Sequence, residues 1–322
     1  MSVVLDAMGG DFAPSAIVEG AILAARSGIK VYLVGTKEAL SPLESNPEPG
    51  IDLVYATEVV GMAESPADAL RKKLDSSIAV GVRLAKEKQV PFVSAGNTGA
   101  CMAAALFVFG RIPGIKRPPI ASVFPQSNGQ KTVVLDVGAN VDCHAESLLQ
   151  FAVIGDAWAK AMLGIKKPTV GLLSNGSERE KGNALVHEAH ELLSKSALNF
   201  IGNVEGFDVL AGRCDVIVTD GFAGNVLLKT VEGVAHLFGH MIRDNMPADR
   251  RPSEEYQNLM KAANAFNPSA PEHCGAPLLG VNGHCYIVHG NADAKVIFGA
   301  CQTSVKLGQS NLLELIQTGV RG

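Results

Sequence analysis

Short apolar, β-branched runs alternate along this chain with longer stretches in which apolar residues recur every three or four positions. The runs Val3–Leu5, Val31–Val34, Leu53–Tyr55, Phe92–Val93, Val133–Leu135, Val170–Leu173 and Val216–Val218 predict strands. The strongest helix candidates are Pro14–Ser27, Ser77–Lys88, Thr98–Phe109, Ala145–Met162, Ala184–Ser194 and Phe222–Asp244, each bordered by turn residues. Strand–helix alternation of this kind predicts an α/β fold whose sheet is mostly parallel and covered by helices on both faces.

Two stretches break the alternation. Between Gly110 and Gly129 the chain is rich in proline and ends in a turn-like QSNG, which predicts an antiparallel excursion, a candidate dimer arm. From 247 to 274 it becomes polar and proline-punctuated around one helix near Glu254–Ala265, predicting a protruding helical hairpin within a single domain spanning 1–322. No internal repeat is visible.

Composition narrows the function classes. A hydrophobic content of 47% supports a large buried core. With 28 basic and 32 acidic residues the formal charge is −4, so no global positive field draws nucleic acid, and no nucleic-acid partner is expected. The six cysteines form no C-x-x-C pair and most sit in apolar surroundings, which suits a reducing compartment. The chain opens on a strand-like SVVL at 2–5 with no basic, apolar leader, and its longest apolar segment, Ala100 to Phe109, falls well short of the ~20 residues that cross a bilayer. A cytoplasmic protein is expected.

Candidate chemistry lies in glycine-rich turns that follow the apolar runs: DAMGGD at 6–11, SAGNTGA at 94–100, DVGANVD at 136–142, KGN at 181–183 and DGFAGN at 220–225. A strand that turns through small residues into a helix presents uncommitted backbone N–H groups, and glycine lets an anion approach them closely. Five such turns predict a crevice for a phosphate-bearing substrate at the carboxyl edge of a parallel sheet. Neither G-x-G-x-x-G after the first strand, nor a P-loop, nor G-x-S-x-G is present. His236 and His240 lack the glutamate of a zinc-protease helix, the His187, Glu188, His190 and Glu191 group reads as a solvated face, and the Asp142-Cys143-His144 run reads as structural. No metal and no cofactor are expected.

Read in order, these turns resemble the PlsX family of phosphate acyltransferases from Leu5 to about Lys306. The resemblance rests on LDAMGGD at 5–11, Arg71 through Asp75-Ser76-Ser77, VSAGNTGA at 93–100, LDVGANVDC at 135–143, KGN at 181–183, DGFAGNV at 220–226 and GAPLLGVNG at 275–283. It departs at 174–178, where SNGSE stands in place of the common NIGEE. The resemblance implies transfer of a long-chain acyl group from acyl carrier protein to inorganic phosphate, yielding acyl phosphate for phospholipid synthesis. It also implies a three-layer, isopropylmalate-dehydrogenase-like α/β/α fold, a homodimer, loose membrane association and a downstream membrane glycerol-3-phosphate acyltransferase.

Attack of phosphate on a thioester needs no strong base, since phosphate is largely dianionic at neutral pH and a thiol near pKa ~8.5 leaves readily. It needs a cage of donors and one cation. Lys181, at a helix entrance, is the expected cation, and the Asn225 amide is the expected donor to the thioester oxygen. Gly96, Asn97, Thr98, Ser76, Ser77, Asn183 and Gly224 are the expected phosphate and substrate contacts, with Arg71 and Lys73 as nearby cations. Asp6, Asp136, Asn140, Asp220 and His289 are expected to orient these donors, because a bare carboxylate would repel phosphate. An acidic carrier would meet Arg243, Arg250 and Arg251, while Leu259, Met260 and Phe266 face either lipid or a dimer partner. Two other readings stay open: a phosphotransacetylase using short-chain acyl-coenzyme A, and a noncatalytic lipid- or carrier-binding module.

Overall fold

The computed structural model describes residues 1–265 and 275–321. The chain forms two compact units, Met1–Ile115 with Cys274–Gln317, and Lys116–His273 with Thr318–Gly322. It begins with β1 (Ser2–Asp6), α1 (Ser15–Arg26), β2 (Lys30–Gly35), α2 (Lys37–Ser45), β3 (Ile51–Tyr55), α3 (Pro66–Lys72), α4 (Ser77–Lys88), β4 (Phe92–Ser94) and α5 (Thr98–Val108). The second unit carries β5 (Ala121–Pro125), β6 (Lys131–Leu135), α6 (Ala145–Trp158), β7 (Thr169–Leu173), α7 (Ala184–Ser194), β8 (Asn199–Val204), α8 (Asp208–Ala211), β9 (Val216–Val218), α9 (Gly221–Asn245) and α10 (Glu254–Ala265). The chain then adds β10 (Ala276–Leu278), β11 (Cys285–Ile287), α11 (Ala294–Gln309) and α12 (Leu312–Arg321).

The expected strands belong to two sheets rather than one. The first has the order β10-β11-β4-β1-β2-β3, parallel except where β10 meets β11. Val3, Val4, Leu5, Phe92 and Val93 are wholly buried, as expected for a parallel sheet with helices on its faces. Helix α4 approaches β4 so closely that a Cβ on Gly81 would lie 2.5 Å from the Phe92 ring, and α1 meets α11 where Gly20 abuts Ile297. The chain runs outward from β1 to β3 and then returns to the other side of β1 as β4, so the sheet switches direction between β1 and β4. Their carboxyl ends, Asp6 and Ser94, therefore border a natural crevice.

The second sheet has the order β5-β6-β9-β7-β8. The expected antiparallel excursion is the β5–β6 hairpin, pairing Ala121 with Leu135 and Pro125 with Lys131, while the other pairs are parallel. Strand β9 inserts between β6 and β7, which brings the carboxyl ends of three parallel strands side by side. The helix expected over Ala145–Met162 is α-helical to Trp158 and widens into a π turn over Ala159–Leu163, ending at Gly164 with φ 72°. In the 247–274 segment, α10 packs on α9, and residues 266–274, which include Phe266 and Cys274, lie outside the described residues. No helix among the described residues is long and apolar enough to cross a membrane.

The half-buried imidazole of His284 is expected to make the first unit acid-sensitive. Burial holds His284, just before β11, down at about 4, whereas an unfolded histidine titrates near ~6.5. Between those values the unfolded chain binds a proton that the folded chain refuses, so stability falls as pH drops from about 6.5 toward 4. Urea unfolding across this range is expected to give a shallower pH dependence for His284→Gln than for the unmodified protein. Equal slopes would remove His284 as the cause.

Candidate functional site

In the second unit, β9 ends at Val218 and runs through Thr219 into Asp220, whose Oδ1 accepts the Ala223 N–H at 2.8 Å and caps α9. Beside it β7 ends at Leu173 and continues through Ser174 and Asn175 into a loop that closes at Gly182 and Asn183. The Asn183 Oδ1 accepts the Val186 N–H at 3.0 Å and caps α7. A cavity of about 480 Å³ lies between these helix starts. Ser174, Asn175, Gly182, Asn183, Thr219 and Asp220 form its polar lining, against walls that include Leu148, Leu173 and Val186.

Each cap satisfies one of the N–H groups that a helix start leaves without an intrahelical partner. At α9 the Gly221 and Gly224 N–H groups are taken by the Asn140 and Asp220 carbonyls, so what the two helix starts bring to this cavity is chiefly their positive dipole ends, an arrangement that favours an anion. The Asp220 carboxylate, part of the cavity lining, is held by its cap bond.

Asp136 builds the adjoining turn. Its Oδ1 accepts N–H groups from Ile120, Gly138 and Ala139, and its Oδ2 accepts the backbone N–H and side-chain amide of Asn140. Burial raises its pKa, and these donors oppose the rise. The Asn140 amide also reaches the Pro118 carbonyl, while the Asn140 carbonyl accepts the Gly221 N–H at 2.7 Å. The Cys143 thiol lies 3.3 Å from that same carbonyl, and burial pushes its pKa up to about 11, so it stays protonated at neutral pH.

Helix α9 starts directly against this turn. A Cβ on Gly221 would come within 2.6 Å of the Asn140 carbonyl oxygen, and one on Gly224 within 1.9 Å of the Asp136 carbonyl oxygen. Gly224 therefore sets how closely the helix docks, and the turn carbonyl occupies the space a ligand would need there. One turn along α9, Asn225 is exposed and donates from Nδ2 to the Val137 carbonyl at 3.1 Å. That bond fixes its plane and leaves its second amide hydrogen for another acceptor.

Lys181 precedes Gly182 at the cavity but is not among the cavity's lining residues. Its side chain is exposed, its stem lies over Gly176, and no ion pair engages its ammonium among the described residues. The loop that carries it is held from below by the buried Asn203, whose Nδ2 donates to the Glu178 and Lys181 carbonyls at 2.9 and 3.4 Å.

The first unit gathers a second group. Asp6, at the end of β1, accepts from the Ser94 hydroxyl at 2.7 Å and the Met8 N–H at 3.0 Å, and the Ser77 hydroxyl also bonds to it. Burial raises the Asp6 pKa against the pull of these donors. Ser94 Oγ in turn accepts the Gly96 N–H at 3.0 Å. Gly9 presses on Gly96 so tightly that a Cβ there would lie 2.4 Å from the Gly96 nitrogen. On β11's carboxyl side, Val288 donates to the Ser94 carbonyl, and Gly290, next to His289, accepts the Asp11 N–H at 2.7 Å.

Several expected phosphate donors turn out to be engaged within the protein. Asn97 caps α5 through Ala100 N–H, and its amide donates to the Gly61, Met62 and Glu64 carbonyls at 2.9–3.2 Å, so it clamps the 61–64 loop. The Ser76 hydroxyl caps α4 and donates to the Lys73 carbonyl. Lys73 pairs with Glu64 at 2.7 Å and Arg71 with Asp68 at 3.4 Å, so neither cation is uncommitted. Thr98 alone of the side chains in that turn is exposed. At the far end of α9, Arg251 donates to the Arg243 and Met246 carbonyls and caps the helix, while Arg243 and Arg250 are exposed.

Sequence reasoning passed over Ser94, Ser174, Asn175, Thr219 and Asn203. Ser94 ends β4, Ser174 and Thr219 directly follow β7 and β9, and Asn175 lies one residue further on, and that position at the carboxyl edge was the available signal. Asn203 sits on β8, which the apolar pattern did not predict.

The family described as "Fatty acid synthesis protein" matches residues 1–315. A protein named phosphate acyltransferase from Heliobacterium modesticaldum is 46% identical over 333 residues, covering 100% of this chain and 98% of its own length. Another of that name, from Caldanaerobacter subterraneus, is 43% identical over 322 residues, covering 98% and 96%. Among solved structures, a phosphotransacetylase from Streptococcus pyogenes superposes with a TM-score of 0.64 at 18% identity, over 96% of this chain and 94% of that one, and so shares the fold.

Proposed function

Since the chain belongs to the phosphate acyltransferase family, a family of acyl-transferring enzymes, we propose that it transfers a long-chain acyl group from acyl carrier protein to inorganic phosphate. The observation that carries the reading is the cavity of about 480 Å³ on which the starts of α7 and α9 converge. A phosphate dianion seated there lies at the positive ends of two helices and needs little deprotonation.

In the step itself a phosphate oxygen attacks the thioester carbonyl and a C–O bond forms. The tetrahedral intermediate then collapses, the C–S bond breaks, and sulfur leaves with the bonding pair as thiolate, which takes a proton from water. Lys181 supplies the positive charge, and the second amide hydrogen of Asn225 stabilises the oxyanion. Asp136, Asn140 and Asp220 hold the turns that aim these groups. In the first unit Asp6, Ser77 and Gly96 form a polar cluster whose outward-facing member is Thr98. The exposed Arg243 and Arg250 suit an acidic carrier.

The test is thiol release. With palmitoyl-carrier, addition of phosphate is expected to release carrier thiol at a kcat/KM at least ~100-fold above that for acetyl-coenzyme A. A preference for acetyl-coenzyme A would reassign the donor, and binding of the carrier without phosphate-dependent release would leave only a binding module.

A further inference from the structure

Below its docked start, α9 presents one face to a second, open-sided cavity of about 450 Å³, lined by α9, α10 and Leu210 of α8. Its walls are almost wholly apolar: Val231, Val234, Ala235, Phe238 and Ile242 from α9, with Leu259 and Ala262 among those of α10. Val234, Phe238 and Leu259 remain 46%, 54% and 42% exposed, a costly arrangement for side chains of this size unless something apolar covers them.

The two cavities lie on the same side of one helix. At 100° per residue, Ala223, which lines the polar cavity, shares a face with Leu227, Thr230, Val234 and Phe238. A rise of about 1.5 Å per residue puts Thr230, at the mouth of the apolar cavity, about 10 Å from Ala223, and Phe238 about 22 Å from it. A saturated chain advances about 1.25 Å per methylene, from C–C bonds of about 1.5 Å at the tetrahedral angle. Eight carbons thus reach the mouth of the apolar cavity, about 18 reach Phe238, and about 23 reach Ile242, about 28 Å from Ala223 at the far end of the α9 wall.

We infer that the acyl chain of the substrate runs along the Ala223–Phe238 face of α9 and ends in the apolar cavity between α9 and α10, which makes that cavity the ruler for chain length. The inference rests on the acyl transfer proposed above and adds where the chain goes. The length of the path, the near absence of polar lining and the shared helix face identify the occupant as a linear hydrocarbon well beyond eight carbons, with room for up to about 23.

Val234→Trp fills the cavity from α9, and Ala262→Trp fills it from an exposed position on α10. Each is expected to lower kcat/KM for palmitoyl-carrier by at least about 30-fold while changing that for octanoyl-carrier less than about 3-fold. Equal losses on both donors, or no loss on either, would overturn the chain path and leave the α9 face to a second copy or a lipid surface. If the unmodified protein releases no thiol from either donor, the transfer reading fails alone. The path is then judged by a fluorescent 16-carbon fatty acid, expected to bind the unmodified protein and not the two variants. Binding to both variants as tightly as to the unmodified protein would overturn it.

Discussion

Replacing Gly224 with alanine is expected to destabilise the unit that carries α9 by more than about 3 kcal/mol and to abolish phosphate-dependent thiol release. The added Cβ would lie 1.9 Å from the Asp136 carbonyl oxygen and 3.0 Å from Thr219 Cγ2. The carbonyl has nowhere to go, because the Asp136 side chain anchors its residue to the N–H groups of Ile120, Gly138, Ala139 and Asn140. The helix is equally held, since Gly221 donates to the Asn140 carbonyl on the same face. Relief of the clash must therefore separate α9 from the turn, and with it Asn225 from Val137. Gly233 on the same helix is the matched control: a Cβ there meets nothing within 4 Å, so alanine should stabilise by about 0.5–1 kcal/mol through helix propensity alone. Urea unfolding of both variants reads the contrast. A Gly224→Ala protein as stable as the parent would mean that the helix start does not dock as described.

That close approach marks the boundary between what the chain's pattern reveals and what it hides. The glycines and their neighbouring Asp and Asn residues are visible because each follows an apolar run, and their positions at the carboxyl ends of β1, β4, β6 and β9 follow from the strand–helix alternation alone. What each side chain touches is decided by residues far away in sequence. Asn97 reads equally as a cap or an anion donor until the 61–64 loop, more than thirty positions upstream, takes its amide hydrogens. Lys73 reads as a phosphate cation until Glu64 pairs with it.

The missed elements have the same kind of cause. Strand β8 carries two asparagines and Gly202 at φ 95°, so its pattern resembles a loop, and its pairing with β7 imposes the extended form. Helix α11 contains Val296, Ile297, Thr303 and Val305, residues of modest helix propensity, and forms because its buried face packs on α1. Ser174 and Asn175 read as a departure from a familiar motif, whereas in the fold they line the polar cavity. Local chemistry thus predicts where a site can form, and tertiary contacts choose which donors stay available to a substrate.

Lys181 tests that choice most directly. Lys181→Ala is expected to lower kcat at least ~100-fold, a loss of about 2.7 kcal/mol in transition-state stabilisation, with a melting temperature within about 1 °C of the parent. The stability should hold because the side chain is exposed and the bonds that shape the loop are made by the backbone: Lys181 N–H to the Glu178 carbonyl, and the Lys181 carbonyl to Asn203. The stem's packing beside Gly176 is lost. Because Lys181 adjoins Gly182 of the polar cavity without itself lining it, its charge is expected to act on the oxyanion more than on ground-state phosphate. The loss should therefore fall on kcat, with the KM for phosphate changed less than about 5-fold. Lys181→Arg keeps the charge on a planar, bulkier head and should recover only part of the rate. A loss confined to KM would move Lys181 into phosphate binding, and full turnover in the alanine variant would remove it from the reaction.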